Sequence, residues 1–321
     1  MNLSKKKFAL FSLIACTVIC SAFSEAAEAV ENNVQSEISV SAESIVGDTP
    51  YTVQIYVQID NYDDEKSYMI SIDGGSSWRS MTDSEILFPQ LISGTYEVVV
   101  KNAADSSDIS RVQSIKTITN VSKESAYIQT EAILQYPELP TGCEITSLTM
   151  ALRFCGYNVT KTDLADNYLE KGDYRSSDFN KVFVGNPRQD NAYGCYNEVI
   201  VRCAENYLSS LAEPQHKAVN LTGCDPALLY QCVADSTPVV VWATSDMSEP
   251  RAGRTWIDIS TGKTVTWISG EHCLLLTGYS YSEGKVYFND PLNGAVSYDM
   301  TLFEERFTQL GKQAVIITPI D

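Results

Sequence analysis

The sequence predicts an α+β domain that follows a smaller all-β domain. The chain has 321 residues, of which 44% are hydrophobic, and this length suits about two globular domains. Residues 30–118 contain neither cysteine nor histidine and show short, alternating strand patterns. Helical periodicity appears only after residue 130 and is followed by continuous apolar runs, an order typical of the α+β class.

Residues 1–29 are typical of a secretory signal peptide. Lys5–Lys7 form a basic start, residues 8–22 form an apolar run too short to span a bilayer, and Ala27–Ala29 fits a small-residue cleavage site. An alternative is a lipoprotein anchored at Cys16, whose preceding residues look like a lipobox. We therefore expect a secreted or cell-surface protein, and no later segment is apolar enough to form a membrane span.

The charge balance excludes two classes of partner. The net charge is −18, so no basic excess is present to neutralise nucleic-acid phosphates or to bind an anionic membrane surface. The chain also has only two histidines, which limits where imidazole chemistry can occur.

Residues 30–118 predict a small β-sandwich, because several short strands recur at roughly ten-residue spacing with polar turns between them. The stretch 68–100 resembles immunoglobulin-like or fibronectin-like modules of bacterial surface proteins, which implies a cell-surface ligand. Residues 119–130 are polar and unpatterned and are expected to be a linker. The predicted strands are Tyr51–Ile59, Tyr68–Ile72, Gly94–Val100 and Arg111–Ile118.

Residues 131–321 form the predicted second domain. Apolar residues at three- and four-residue steps, with caps and terminating glycines, predict four helices: Cys143–Cys155, Asp163–Tyr168, Tyr196–Leu208 and Asp225–Val233. Four apolar runs predict strands at Pro238–Trp242, His272–Tyr279, Lys285–Asp290 and Lys312–Thr318. The run at 238–242 is continuous, as expected for a strand that is buried on both faces.

Cys143 is the candidate nucleophile. It follows Gly142 and opens a predicted helix, where the helix dipole favours a thiolate, so we expect an exposed and ionised thiol. The competing interpretation is a structural thiol or a disulfide partner.

His272 and Asp290 are the candidate base and its orienting group. His272 begins one predicted strand and Asp290 ends the next, so an antiparallel hairpin would bring them together. Asn289 competes with Asp290 for the orienting role. The amide of Gln135, upstream of Cys143, is a candidate second oxyanion donor beside the Cys143 N–H.

These residues lie in three blocks, 135–144, 271–279 and 289–294, which together resemble the C39-like cysteine peptidase family. The resemblance covers about residues 131–318 and is greatest to the free-standing, secreted branch related to double-glycine leader peptidases. It implies a papain-like fold and a peptide or protein substrate. It also implies Cys143 as nucleophile, His272 as base, Asp290 as orienting residue and Gln135 in the oxyanion hole. No transporter is attached, so leader processing is not implied.

The remaining cysteines and aromatic residues carry weaker expectations. Cys195 and Cys203, or Cys224 and Cys232, have the spacing for disulfides, but crossed pairs among these four are also open. If both disulfides form, Cys155 and Cys273 either pair with each other or stay buried as small apolar side chains. His216 is expected to be exposed, and with no C-x-x-C motif we predict neither a metal site nor a cofactor. Trp242, Trp256 and Trp267 are expected in the core or at a cleft rim, with residues 245–254 as a candidate active-site loop.

Two functions other than peptide hydrolysis remain open. Cys143, His272 and Asp290 can also catalyse an amidase or acyltransferase reaction on cell-wall peptides. Alternatively, the chain is a catalytically silent binding protein of the cell surface.

Overall fold

The computed structural model describes residues 38–46, 51–92, 94–117, 121–173 and 176–320. The predicted signal peptide and the Cys16 lipobox lie outside these residues. The described chain divides into two compact units: residues 38–45, 55–88 and 96–115 form the first, and residues 46–54, 89–95 and 116–320 form the second. None of the described helices is long and apolar enough to cross a membrane.

The N-terminal residues form strands only, arranged in a three-stranded sheet of order β1-β2-β5 and a four-stranded sheet of order β4-β3-β6-β7. Ile55, Val57 and Ile59 are buried on one face of the second strand, as the alternation predicts, but Gln54 on the other face is also buried. The strands are β1 Val40–Val46, β2 Thr52–Ile59, β3 Tyr68–Ser71, β4 Arg79–Met81, β5 Glu85–Ile92, β6 Thr95–Asn102 and β7 Gln113–Lys116.

The second unit mixes five described helices with a larger number of strands. The helices are α1 Cys143–Phe154, α2 Lys161–Asn167, α3 Asn197–Ser209, α4 Pro226–Ala234 and α5 Met300–Gln309, with a 3₁₀ turn at Ser245–Met247. The strands are β8 Ser125–Tyr127, β9 Lys171–Gly172, β10 Phe183–Val184, β11 His216–Asn220, β12 Val239–Thr244, β13 Arg251–Ile257, β14 Thr264–Ser269, β15 Glu271–Ser280, β16 Lys285–Asp290, β17 Gly294–Asp299 and β18 Ala314–Pro319.

A seven-stranded antiparallel sheet forms the centre of this unit, in the order β11-β18-β12-β15-β16-β17, with β8 paired to β15. Successive residues of its central strands enter two different apolar clusters. Trp242 and Cys273 lie in the cluster that contains α1 and α3, whereas Ala243 and Leu274 lie in the cluster that contains α4 and α5. Because both faces are covered, β12 is buried at every position, which confirms the prediction for residues 238–242.

The four helices and four strands predicted for this unit are present, with ends that differ by a few residues. The prediction missed α5, which Asp299 caps by accepting the N–H of Leu302 at 3.0 Å. It also missed the β13–β14 hairpin. Many positions in these two strands are exposed and polar, and neither strand contains a continuous apolar run.

The part of the chain that the structure describes contains no disulfide, and His216 is not exposed there. All seven cysteines of the described residues are free thiols, and most of them pack as small apolar side chains in the two clusters. His216 is half-buried rather than exposed, because it starts β11 and packs against Tyr157, whose hydroxyl lies 2.9 Å from its Nδ1. Burial lowers the pKa of His216.

Candidate active site

The N-terminus of α1 packs against the start of β15. Ser147 Oγ donates a hydrogen bond to the carbonyl of Cys273 at 3.2 Å, and Cys273 is one of the groups that act on the pKa of the Cys143 thiol. The fold therefore places the candidate nucleophile against the residue that directly follows His272 in β15.

His272 and Asp290 form a buried pair. His272 Nε2 lies 2.6 Å from Asp290 Oδ1, the contact that the hairpin geometry predicts. Burial alone would raise the pKa of Asp290, but the hydrogen bond and charge of His272 outweigh it and hold that pKa below its ordinary value. Asn289, the competing candidate, instead donates to the carbonyl of Thr130 at 3.2 Å. Because Nε2 faces Asp290, Nδ1 is the imidazole nitrogen that remains for proton transfer.

Asp290 accepts two further hydrogen bonds. The backbone N–H of Leu292 donates to Oδ1 and Asn293 Nδ2 donates to Oδ2, each at 2.8 Å. A carboxylate that accepts three donors has its orientation fixed, and it fixes the ring of His272 in turn.

Gln135 lies in the loop between β8 and α1 and is 3% exposed. Its backbone N–H donates to the carbonyl of Pro291, the residue after Asp290, at 2.8 Å. Its side-chain Nε2 donates to the carbonyl of Pro140 at 2.5 Å, and its buried Oε1 accepts from none of the described residues. The amide is therefore held beside the turn that precedes α1, with one of its two N–H groups engaged.

The thiol of Cys143 is buried, whereas the sequence predicts an exposed one. It is 8% exposed, and it donates to Glu144 Oε2 at 3.3 Å. Burial, together with the charges of Glu144 and Glu271, raises the pKa of Cys143 well above its ordinary value and outweighs the helix dipole. In the described part of the chain, no hydrogen bond joins Cys143 Sγ to the ring of His272.

Glu144 and Glu271 are neighbours of the thiol that the sequence analysis did not identify. Glu144 is fully buried, and its Oε1 accepts the N–H of Cys195 at 2.7 Å. Burial raises the pKa of Glu144 to about 7 and raises that of Glu271 well above its ordinary value. The sequence feature that could have identified Glu144 is a charged residue between Cys143 and Ile145 at the start of a helix that is otherwise apolar there. Glu271 lies directly before His272 in a strand that is otherwise buried.

Aromatic side chains lie next to this group. Trp267 of β14 stacks on Tyr196 with ring centres 6.0 Å apart, and it also contacts Phe179 and Tyr193. A Cβ added at Gly194 would lie 2.3 Å from Glu144 Oε1 and 3.0 Å from the Trp267 ring. Gly194 therefore packs closely against both the Trp267 ring and the buried carboxyl of Glu144 beside Cys143.

The other two tryptophans lie in different settings. Trp242 is fully buried and donates from Nε1 to the carbonyl of Cys195 at 3.0 Å, whereas Trp256 is half-buried and donates to the carbonyl of Ser177. Residues 245–254, predicted as a loop, contain the 3₁₀ turn and the first residues of β13.

Comparison with known proteins identifies the family. A model described as the Peptidase_C39 like family matches residues 115–315. The uncharacterized protein YvpB of Bacillus subtilis is 33% identical over 186 residues, which cover 56% of this chain and 70% of YvpB. A solved structure from Bacillus anthracis, assigned as a C39-like peptidase, is 31% identical with a TM-score of 0.55 and covers 62% of this chain and 100% of that one. Because the family match spans more than half of the chain, the protein belongs to the Peptidase_C39 like family and is a cysteine peptidase.

Proposed function

We propose that this protein hydrolyses peptide bonds through Cys143, His272 and Asp290, with Gln135 in the oxyanion hole, in a domain of papain-like architecture. The buried 2.6 Å contact between His272 and Asp290, beside the N-terminus of α1, is the observation that carries the proposal. It provides the oriented imidazole that a cysteine nucleophile needs.

The proposed reaction begins with proton transfer from Cys143 Sγ to Nδ1 of His272, which requires the thiol to turn away from Glu144. The thiolate then attacks the carbonyl carbon of the substrate, and the N–H groups of Cys143 and Gln135 stabilise the oxyanion. The C–N bond breaks as His272 returns its proton to the leaving amine. Water, deprotonated by His272, hydrolyses the thioester and restores the thiol.

The first test compares Cys143→Ser with Cys155→Ser on a peptide library. Cys155 is a half-buried thiol near the end of α1, so its replacement controls for the loss of a cysteine as such. We expect Cys143→Ser to lower kcat/KM at least about a thousandfold and Cys155→Ser to change it less than about threefold. Equal cleavage by Cys143→Ser and wild type would show that Cys143 is not the nucleophile.

The products separate hydrolysis from the other acyl-transfer reactions. Mass spectrometry of the cleaved peptides in the presence of a free amine distinguishes a new carboxylate from a new amide. A free acid as the main product supports hydrolysis, whereas a new amide identifies an acyltransferase that uses the same three residues.

We also propose that the protein is exported and that its N-terminal strands form an immunoglobulin-like sandwich that binds a cell-surface ligand. The support for export is the basic and apolar pattern of residues 1–29. N-terminal sequencing of the protein recovered from culture medium is expected to start near Val30. Recovery of an intact Met1 only from the cell interior would contradict export.

A further inference from the structure

Three potential metal ligands meet beside the proposed nucleophile. Cys143 Sγ, one carboxylate oxygen of Glu144 and one of Glu271 all lie within 4.8 Å of one another. Glu144 follows Cys143 in α1 and Glu271 begins β15, so the packing of the helix on the sheet assembles the group. Neither carboxylate has a role in the proposed reaction.

No salt bridge among the described residues neutralises this group. None of the ion pairs of the described chain includes Glu144 or Glu271, and the charges of both carboxyls raise the pKa of the Cys143 thiol. Glu271 Oε1 is buried and accepts no hydrogen bond from any described residue. Buried carboxylates in proteins are neutralised by a proton, a cationic partner or a metal ion. A cation at the centre of this group would neutralise both carboxylates and the thiolate.

We propose that Cys143, Glu144 and Glu271 form a binding site for one divalent zinc-like ion. A thiolate favours a borderline or soft ion such as Zn²⁺ over Ca²⁺ or Mg²⁺, and one sulfur with two carboxylate oxygens supplies three of the four ligands of tetrahedral zinc. The three ligand atoms would have to move only slightly closer together to bind one ion, since Zn–S and Zn–O bonds are about 2.3 and 2.1 Å. On binding, the S–H bond breaks, a Zn–S bond forms, and the thiol proton passes to solvent together with any proton held by the carboxyls.

The consequence for catalysis rests on the proposed function. A sulfur bonded to zinc and held toward Glu144 and Glu271 can neither transfer its proton to His272 nor attack a carbonyl. The ion therefore acts as a reversible inhibitor that occupies the nucleophile and leaves the His272–Asp290 pair intact.

Binding is tested without reference to activity. The full-length, reduced and chelator-treated protein is titrated with Zn²⁺ by calorimetry and with Co²⁺ in the spectrophotometer, because a Co²⁺–thiolate bond gives a near-ultraviolet charge-transfer band. We expect one Zn²⁺ per chain and a Co²⁺ band that is absent in Cys143→Ser. In Glu271→Gln, zinc affinity should fall about tenfold or more, since loss of a ligand costs at least as much as loss of an outer-shell partner.

Matched controls are Cys155→Ser and Glu213→Gln, which remove a distant thiol and an exposed carboxylate. Both should bind Zn²⁺ as wild type does. A Co²⁺ band that persists in Cys143→Ser, or a Glu271→Gln affinity equal to that of wild type, would overturn the site.

A second measurement avoids any variant that fails to fold. Wild-type protein is alkylated with iodoacetamide with and without Zn²⁺, and the labelled peptides are quantified by mass spectrometry. Zn²⁺ should protect Cys143 but not Cys155, and equal labelling of Cys143 in both conditions would contradict the proposal.

The two proposals can fail separately. Zinc binding with protection of Cys143, but without peptide cleavage by the metal-free protein, would refute the proposed function alone. Cleavage that depends on Cys143, with no Zn²⁺ bound, would refute the metal site alone.

Discussion

At the scale of single residues, Asp290 is the most constrained group of the site. Its two oxygens accept from His272 Nε2, the Leu292 N–H and Asn293 Nδ2. A carboxylate can serve all three donors, whereas an asparagine has only one acceptor oxygen. The aspartate is therefore needed for its acceptor capacity as well as for its charge.

Replacement of this acceptor is expected to affect turnover more than binding. In Asp290→Asn, the new amide nitrogen would face the amide nitrogen of Asn293, so the side chain would rotate and release His272. We expect kcat to fall about a hundredfold, within the range that general acid–base catalysis contributes. The measurement is steady-state kinetics on a peptide that wild type cleaves.

The double variant Asp290→Asn/Asn293→Asp is the matched control. It reverses the two partners and again gives each nitrogen an acceptor, so we expect it to recover at least about tenfold in kcat. If the double variant is as slow as the single one, the orientation of His272 does not depend on this network.

At the scale of elements, the contact between α1 and the segment before α3 determines where Cys143 lies. Glu144 in the first turn of α1 accepts the N–H of Cys195, and Gly194 fits against both Glu144 and Trp267. Gly194 has a φ of +149°, a backbone conformation that residues with a Cβ rarely adopt. The absence of a side chain at this position therefore permits the buried carboxyl to lie beside the thiol.

Gly194→Ala tests this close approach, with Gly262→Ala as its control. Gly262 also has a positive φ, of +68°, but a Cβ added there would meet no atom of the described residues within 4 Å. We expect the control to lose about 1 kcal/mol of unfolding free energy from backbone strain alone, and Gly194→Ala to lose about 2–4 kcal/mol from strain and overlap. Urea denaturation of both variants measures the difference, and equal losses would show that the neighbours of Gly194 adjust without cost.

At the scale of the whole molecule, the stability of this acidic chain depends on carboxylates that are hydrogen-bonded in the fold. The hydroxyl of Thr261 and the ammonium of Lys181 hold the pKa of Asp258 well below its usual range, and His272 lowers that of Asp290. A group whose pKa is lower in the folded state stabilises the fold above its unfolded pKa, which is about 3.9 for aspartate. This stabilisation is lost as the pH falls toward the lower, folded value.

The thermal midpoint is therefore expected to fall steeply as the pH drops below about 4. Asp258→Asn removes one of these groups, so its Tm should be lower than that of wild type at pH 6 and should approach it toward pH 2. Calorimetric scans between pH 2 and pH 6 give both curves. A constant difference in Tm across this range would mean that the protonation of Asp258 does not contribute to acid unfolding.

Helices and strands can be predicted from the sequence where the spacing of apolar residues within one short segment indicates them. The helix at 143–155 follows from its apolar spacing, and the strand at 238–242 from its continuous apolar run. The pairing of His272 with Asp290 also follows from local sequence. A short turn joins their two strands, and in an antiparallel hairpin the start of the first strand lies beside the end of the second. Strands with mixed polarity, such as β13 and β14, were missed because they pack on one face only and lack an apolar run.

The sequence by itself determined the mixed α and β character of the second unit, the resemblance to the peptidase family and the residues that we propose as the triad. Only the tertiary structure decided the state of the thiol and its neighbours. The dipole of α1 predicts an ionised Cys143, but burial of the helix start and the approach of Glu271 from β15 raise the pKa of that thiol instead. These effects come from residues far apart in the chain, and the electrostatics of a buried group depends on which side chains the fold brings within a few ångströms of it.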